Sequence, residues 1–172
     1  MSIVYELSGT LKGSKPKIYR VFKVKATMPL QILHEVMQAM FYWENFHRHL
    51  FKDSNGVIIQ NADCKTLHEI LSECNNFTYI YDLGNAWTVE IELLKAYEDV
   101  FFVDCPLCLG GARKSPPEES GGIVGYQMAI KMLSKKDTRG NDLLYGWYGE
   151  NYNPEEFNLE EINKRLSYLR CP

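Results

Sequence analysis

Positive charge is what this sequence most plainly lacks. Its 19 Lys and Arg face 22 Asp and Glu, a formal net charge of −3 over 172 residues. The overall basic field that draws a protein onto nucleic acid is therefore absent, and only a local basic face is left to argue. No apolar run approaches the roughly 20 residues that span a bilayer. The opening Met1-Ser2-Ile3-Val4-Tyr5-Glu6 has no secretory pattern, so a cytoplasmic location without membrane contact is expected. Cysteine is sparse and odd in number, at 64, 74, 105, 108 and 171, without the spacing of a disulfide framework. In a cytoplasmic protein that leaves free thiols or a metal rather than disulfides. Gly110-Gly111 and Gly121-Gly122 lack the Gly-Lys-Ser/Thr of a phosphate-binding loop, and neither a serine-hydrolase elbow nor a zinc-protease motif occurs.

The chain has ample material for a core. Hydrophobic residues make up 45% and aromatics 13%, with 11 tyrosines, which excludes a disordered chain. The length suits one domain or at most two small ones. With no internal repeat and no linker, residues 1–172 read as a single domain.

Period-two alternation of Ile3, Tyr5, Leu7 and Leu11, then of Phe22, Val24 and Ala26, predicts two strands joined by the turn Lys12-Gly13-Ser14-Lys15-Pro16. So short a connection makes them antiparallel. Leu30, Leu33, Met37, Met40 and Phe41 recur at helical spacing after Thr27 and Pro29, ending near Trp43. A short strand over residues 47–51 and a turn at residues 53–56 follow. Thr66-Leu67-His68-Glu69 has the form of a capping box opening a short helix. A second hairpin is expected from Phe77, Tyr79, Tyr81 and Leu83, returning through Trp87, Val89, Ile91 and Leu93. A three-residue connection, Gly84-Asn85-Ala86, would set Leu83 opposite Trp87 and Tyr81 opposite Val89. Residues 105–122 are rich enough in Gly and Pro to predict a long irregular loop, a kind of segment that is commonly functional. Beyond it, Tyr126, Ala129, Ile130 and Leu133 mark one helix, and Leu143, Leu144 and Trp147 a shorter one. Asn158 with Glu161 caps a third, which carries Leu159, Ile162, Leu166 and Leu169. The class is α+β: a mixed or antiparallel sheet of hairpins packed against several helices, with a helical C-terminal part.

Several of these segments, in this order, resemble the plasmid pRiA4b ORF-three-like family. Ile18-Tyr19-Arg20, residues 33–43, the hairpin Tyr81-Asp82-Leu83-Gly84-Asn85-Ala86-Trp87, Pro116-Pro117-Glu118-Glu119-Ser120-Gly121-Gly122 and Gly125-Tyr126 carry the likeness. The resemblance implies an α+β fold and company on plasmids and mobile elements, without an established catalytic set. Leu83 stands where an aromatic is usual and Asn85 where an acid is usual; Ser115 and Ser120 stand where many relatives carry cysteine.

Three functions follow. A binding or accessory module would use a cleft between the hairpin at residues 81–87 and the loop at residues 105–122, meeting a protein or small-molecule partner through Asp82, Asn85, Trp87, Arg113, Glu118 and Glu119. The plainer reading of these residues makes Asp82 a turn-stabilising acid, Trp87 core, and Glu118 or Glu119 an N-terminal cap of the helix at Tyr126. A metal-assisted hydrolase would be built on His47 and His49, which point to one side if both lie on a strand, together with the acids or with the Cys105-x-x-Cys108 half-site, where zinc would sit. The same thiols and imidazoles read as ordinary buried or free side chains, so no cofactor is predicted and zinc is the one metal the spacing admits. A nucleic-acid accessory would rest on Arg20, Lys23 and Lys25, against the overall charge.

Overall fold

Alternation of apolar and polar residues builds β1 (Ser2–Leu11) and β2 (Tyr19–Lys25), antiparallel, with Leu7 opposite Phe22 and Tyr5 opposite Val24. The computed structural model describes residues 2–102, 105–134, 142, 145–146, 148–149 and 152–169. The expected helix at Leu143, Leu144 and Trp147 lies outside the described residues. The remaining strands are β3 (His49–Lys52), β4 (Asn76–Tyr81), β5 (Trp87–Asp99) and β6 (Leu107–Ala112). Their order is β3-β4-β5-β1-β2-β6 and every pairing is antiparallel. β5 is the spine of the sheet: its first half pairs with β4, and nearly its whole length pairs with β1.

The helix α1 (Leu30–Phe41) buries the predicted stripe Leu30, Leu33, Met37, Met40 and Phe41. It stops because Tyr42 adopts a left-handed conformation, φ 57°, and the chain turns away. Thr66 and Glu69 form the predicted capping box at α2 (Leu67–Leu71). The C-terminal part supplies α3 (Gly122–Ser134) and α4 (Leu159–Leu166); α4 starts at the Asn158 cap and packs on α1 and β6.

Three expectations need correction. The connection of the second hairpin is residues 82–86, so Tyr81 lies opposite Trp87 and Tyr79 opposite Val89. A slip of two residues keeps the same face inward, which is why Tyr79, Tyr81, Trp87 and Val89 are all buried. Leu83 leaves the core for the turn and is 51% exposed. Secondly, β3 begins at His49, which leaves His47 in the preceding loop and off any shared strand face. Thirdly, residues 107–112 form an edge strand on β2 despite their glycines. Gly111 is required there, since a Cβ would lie 2.4 Å from the Tyr19 carbonyl oxygen and 2.8 Å from the Phe157 ring.

Under α1 lies a buried polar network. His34 Nε2 meets Asn45 Oδ1 at 2.8 Å, and His34 Nδ1 meets the Tyr79 hydroxyl at 2.7 Å. Asn45 Nδ2 is turned to Glu35, so its oxygen faces the ring and the proton sits on Nε2. Nδ1 then accepts from Tyr79, whose oxygen in turn accepts from Gln38. The His49 ring stacks on His34 with centroids 3.7 Å apart and planes 8° apart. Burial lowers both imidazole pKa values, and for His49 the neighbouring His34 lowers it further; Asp63 acts the other way on both, and Glu35 on His49.

A histidine with a folded pKa below its unfolded value gives stability that is complete above the unfolded pKa and is lost as pH falls through it. Stability should therefore fall between pH 7.5 and 5.5, by up to about 1.4 kcal/mol per pH unit per proton taken up, and the melting temperature should fall with it. His49→Phe keeps the stacked ring and should flatten the slope. An unchanged slope in that variant would place the acid sensitivity elsewhere.

Candidate functional site

The diproline stretch is fastened across the hairpin by buried polar bonds. Trp43, just past α1, stacks on Tyr81 of β4 with centroids 5.2 Å apart and lies 6.1 Å from Trp87 of β5. Each indole spends its N–H on the stretch: Trp43 donates to the Pro116 carbonyl and Trp87 to the Glu118 carbonyl, both at 3.3 Å. Burying an aromatic of this size is worth about 4–6 kcal/mol as an upper bound. Exposed ion pairs such as Lys12–Glu90 contribute at most about 1 kcal/mol. The aromatics therefore hold the stretch down.

Glu118 turns inward. Its Oε1 accepts from the Glu44 backbone N–H and, at 3.0 Å, from the Tyr81 hydroxyl. The expected capping of α3 by Glu118 does not occur, because the carboxylate is committed to Glu44 and Tyr81 instead. Its Oε2 lies 3.7 Å from Nε2 of His47, which also lies 4.0 Å from Oε1 of Glu119. On the other side of the same ring, His47 Nδ1 is 3.9 Å from Asp82 Oδ1.

Asp82 sits in the hairpin turn at φ 54°, with the Ala86 N–H bonded to its carbonyl. Its carboxylate accepts from the Gly84 N–H at 3.1 Å and from Asn85 Nδ2 at 2.7 Å. Burial works to raise its pKa, but the bonds from Asn85 and Gly84, together with His47, outweigh it and hold the carboxyl below its ordinary value. Asp82 thus stabilises the turn, as expected, while the same carboxylate also faces His47.

His47 is accordingly the hub where three segments meet: the loop before β3, the hairpin turn and the diproline stretch. Its side chain is 36% exposed and that of Glu119 82%. Phe46 and Leu83 stand exposed beside them. The neighbours of His47 are acids from two distant segments, which no local pattern joins to it, rather than the cysteines that a zinc site would need.

The loop and the hairpin do meet, as closed packing. Gly122, at φ 67°, lies so close to Asn85 that a Cβ would stand 2.7 Å from the Asn85 carbonyl oxygen. Trp87 is wholly buried and acts as a fastener. Arg113 is elsewhere, past the end of β6, paired with Glu155.

The proposed zinc set does not converge. His49 is on β3 and Cys108 on β6, the two opposite edges of the six-stranded sheet, roughly 24 Å apart across five strand spacings. Cys108 is buried, its backbone is tied to Asn163, and burial pushes its thiol pKa up. Among the described residues no group of three or more His, Cys, Asp or Glu is placed to hold a metal ion. Arg20, expected on a basic face, is 1% exposed and cannot contribute to one. Among the described residues no helix is long and apolar enough to cross a membrane.

Fold and site together define an α+β protein in which an acidic, diproline-led loop closes over an aromatic hairpin. The chain belongs to the family of Plasmid pRiA4b ORF-3-like proteins, whose family model matches residues 3–161. It is 26% identical over 185 residues to the uncharacterized protein y4hQ of Sinorhizobium fredii (strain NBRC 101917 / NGR234), spanning 96% of this chain and 92% of that one. The crystal structure of a protein of unknown function, MM3350 from Methanosarcina mazei Go1, is similar with a TM-score of 0.82 at 27% identity, covering 94% of this chain and 97% of that one.

Glu118→Ala should lower stability by about 1–3 kcal/mol, because it strands a buried donor, the Tyr81 hydroxyl, and a part-buried one, the Glu44 N–H. Glu118→Gln, which retains one acceptor oxygen, should cost less, and Glu119→Ala should stay within about 0.5 kcal/mol. Urea denaturation of the three variants measures the ranking. Equal losses for Glu118→Ala and Glu119→Ala would contradict the assignment.

Proposed function

We propose that the protein is a binding module whose contact surface is the mouth formed by His47, Asp82, Glu118 and Glu119. The observation that carries this reading is the convergence on one half-exposed imidazole of carboxylates from separate segments, two of which, Asp82 and Glu118, are held by bonds of their own. Convergent polar groups on a rigid frame are the usual mark of a recognition site. The surface is acidic, and Phe46 and Leu83 flank it with exposed apolar area. Charge complementarity selects a basic segment of a partner protein, with a Lys or Arg facing the carboxylates and apolar neighbours resting on Phe46 and Leu83.

A zinc site joining His47 and His49 to Cys105 and Cys108 finds no support, since the strands that carry His49 and Cys108 are opposite edges of the sheet. A nucleic-acid accessory role loses Arg20, the one arginine of its proposed face.

Defined peptide libraries carrying basic, neutral or acidic centres would test the reading. Basic peptides with apolar flanks should be selected, and their affinity should fall at least tenfold in Glu119→Lys and severalfold in Phe46→Ala. Both substitutions alter exposed side chains, so the fold should be retained. Equal selection of acidic and basic peptides, or affinity indifferent to Glu119→Lys, would refute it.

A further inference from the structure

A cavity of about 110 Å³ opens between β2, the end of α1, the segment after β6 and the start of α4. Arg20, Tyr42, Arg113, Lys114, Glu156 and Glu161 lie on its wall, and none of them is an ion-pair partner of His47.

Arg20 is buried between two rings, with its guanidinium carbon 5.2 Å from the centre of Phe41 and 5.1 Å from that of Phe157. Its Nε donates to the Met40 carbonyl, Nη1 to the carbonyls of Tyr19 and Ala112, and Nη2 to Ser115 Oγ. Those bonds use four of the five N–H donors of a guanidinium. Every acceptor is neutral, and among the described residues no carboxylate pairs with Arg20. Burial draws its pKa down to about 10, so the group is still a cation at neutral pH. A buried charge is normally paired, and this one is not.

Arg113 supplies a second anomaly. It is 6% exposed, holds a left-handed φ of 69°, and pairs through Nη1 with Glu155. Its Nε is buried and has no hydrogen-bond partner among the described residues. A native buried donor left in that state calls for an explanation. Tyr42 adds a hydroxyl that stays protonated, with a pKa pushed up to about 12 by burial and then by Glu161.

We propose that this cavity binds a small oxyanion, a carboxylate or phosphate group, between Arg20 and Arg113. The Arg113 guanidinium, the remaining Nη2–H of Arg20 and the Tyr42 hydroxyl supply its donors, and Lys114 stands at the rim. The volume exceeds the roughly 30 Å³ share of one water and falls well short of the roughly 300–1,000 Å³ of sites for drug-sized ligands. Free phosphate, or the acidic end of a small metabolite, is therefore the class that fits. Glu156, held by Lys114 at 2.8 Å, and Glu161 cap the charge the site tolerates, which disfavours polyphosphates.

The test titrates the full chain with sodium phosphate, sulfate and acetate at constant ionic strength, reading heat and melting temperature. Saturable binding is expected; preference for acetate would identify a carboxylate ligand and preference for phosphate a phosphoryl one. Arg113→Gln should weaken the dissociation constant at least tenfold. Should that variant fail to fold, two substitutions at the rim decide. Lys114→Gln should weaken binding severalfold, and Glu156→Gln should tighten it by removing an opposing carboxylate. No saturable response to any of the three anions, or binding unmoved by these substitutions, would overturn the proposal.

Discussion

The carboxylate of Glu118 is the constraint on which the arrangement of this molecule turns. A buried acid must be compensated, and here one oxygen is met by the end of α1 through the Glu44 N–H and by β4 through the Tyr81 hydroxyl, while the other faces His47. Diproline limits the conformations of the approaching chain, and the two indole N–H groups catch its carbonyls on either side. Once the stretch is fixed, Gly122 can press against Asn85 and α3 can begin. The surface at His47 is thus a consequence of how the loop is anchored. Its residues are positioned by bonds that point inward, and what they present to solvent is the remainder.

Much of the fold was legible because it is local. The α1 stripe, the Thr66–Glu69 capping box and the Asn158–Glu161 cap are each written within a few residues, and each forms as expected. The hairpin register was readable only to within two residues, because a shift of two leaves the buried face unchanged and so costs the pattern nothing. What settled it was Asp82, whose positive φ and turn bonds end β4 earlier than apolar alternation suggests. β6 was hidden for a related reason: its glycines read as loop, yet Gly111 answers to a neighbour, Phe157, that lies some 45 residues on in the chain.

The site was legible in its residue types and illegible in its company. Asp82, Glu118 and Glu119 were visible as acids beside turns, but nothing local pairs them with His47, which spacing had joined to His49. The family likeness drew attention to the right segments without saying which side chains face one another. Arg20 was the more instructive miss. A lone arginine beside two lysines on an alternating strand reads as surface charge, and only the placement of Phe41 and Phe157 on its two sides turns it inward.

Two polar sites of opposite sign thus sit on one sheet, and their separation has a physical basis. The acidic mouth lies over β4, near one edge, and the arginine cavity over β2, near the other; residues 113–118 run between them. Ser115 accepts from Arg20 while Glu118, three residues on, accepts from Tyr81, so the same short stretch is held at both ends by buried donors. An extended segment fastened in this way can shift at one end only by straining the other. Any ligand that draws Arg20 toward the cavity would act on the Ser115 bond first, and through the stiff diproline on the carboxylates around His47. Coupling of that kind requires a differential interaction at both ends, and in this fold Ser115 and Glu118 are where it would reside.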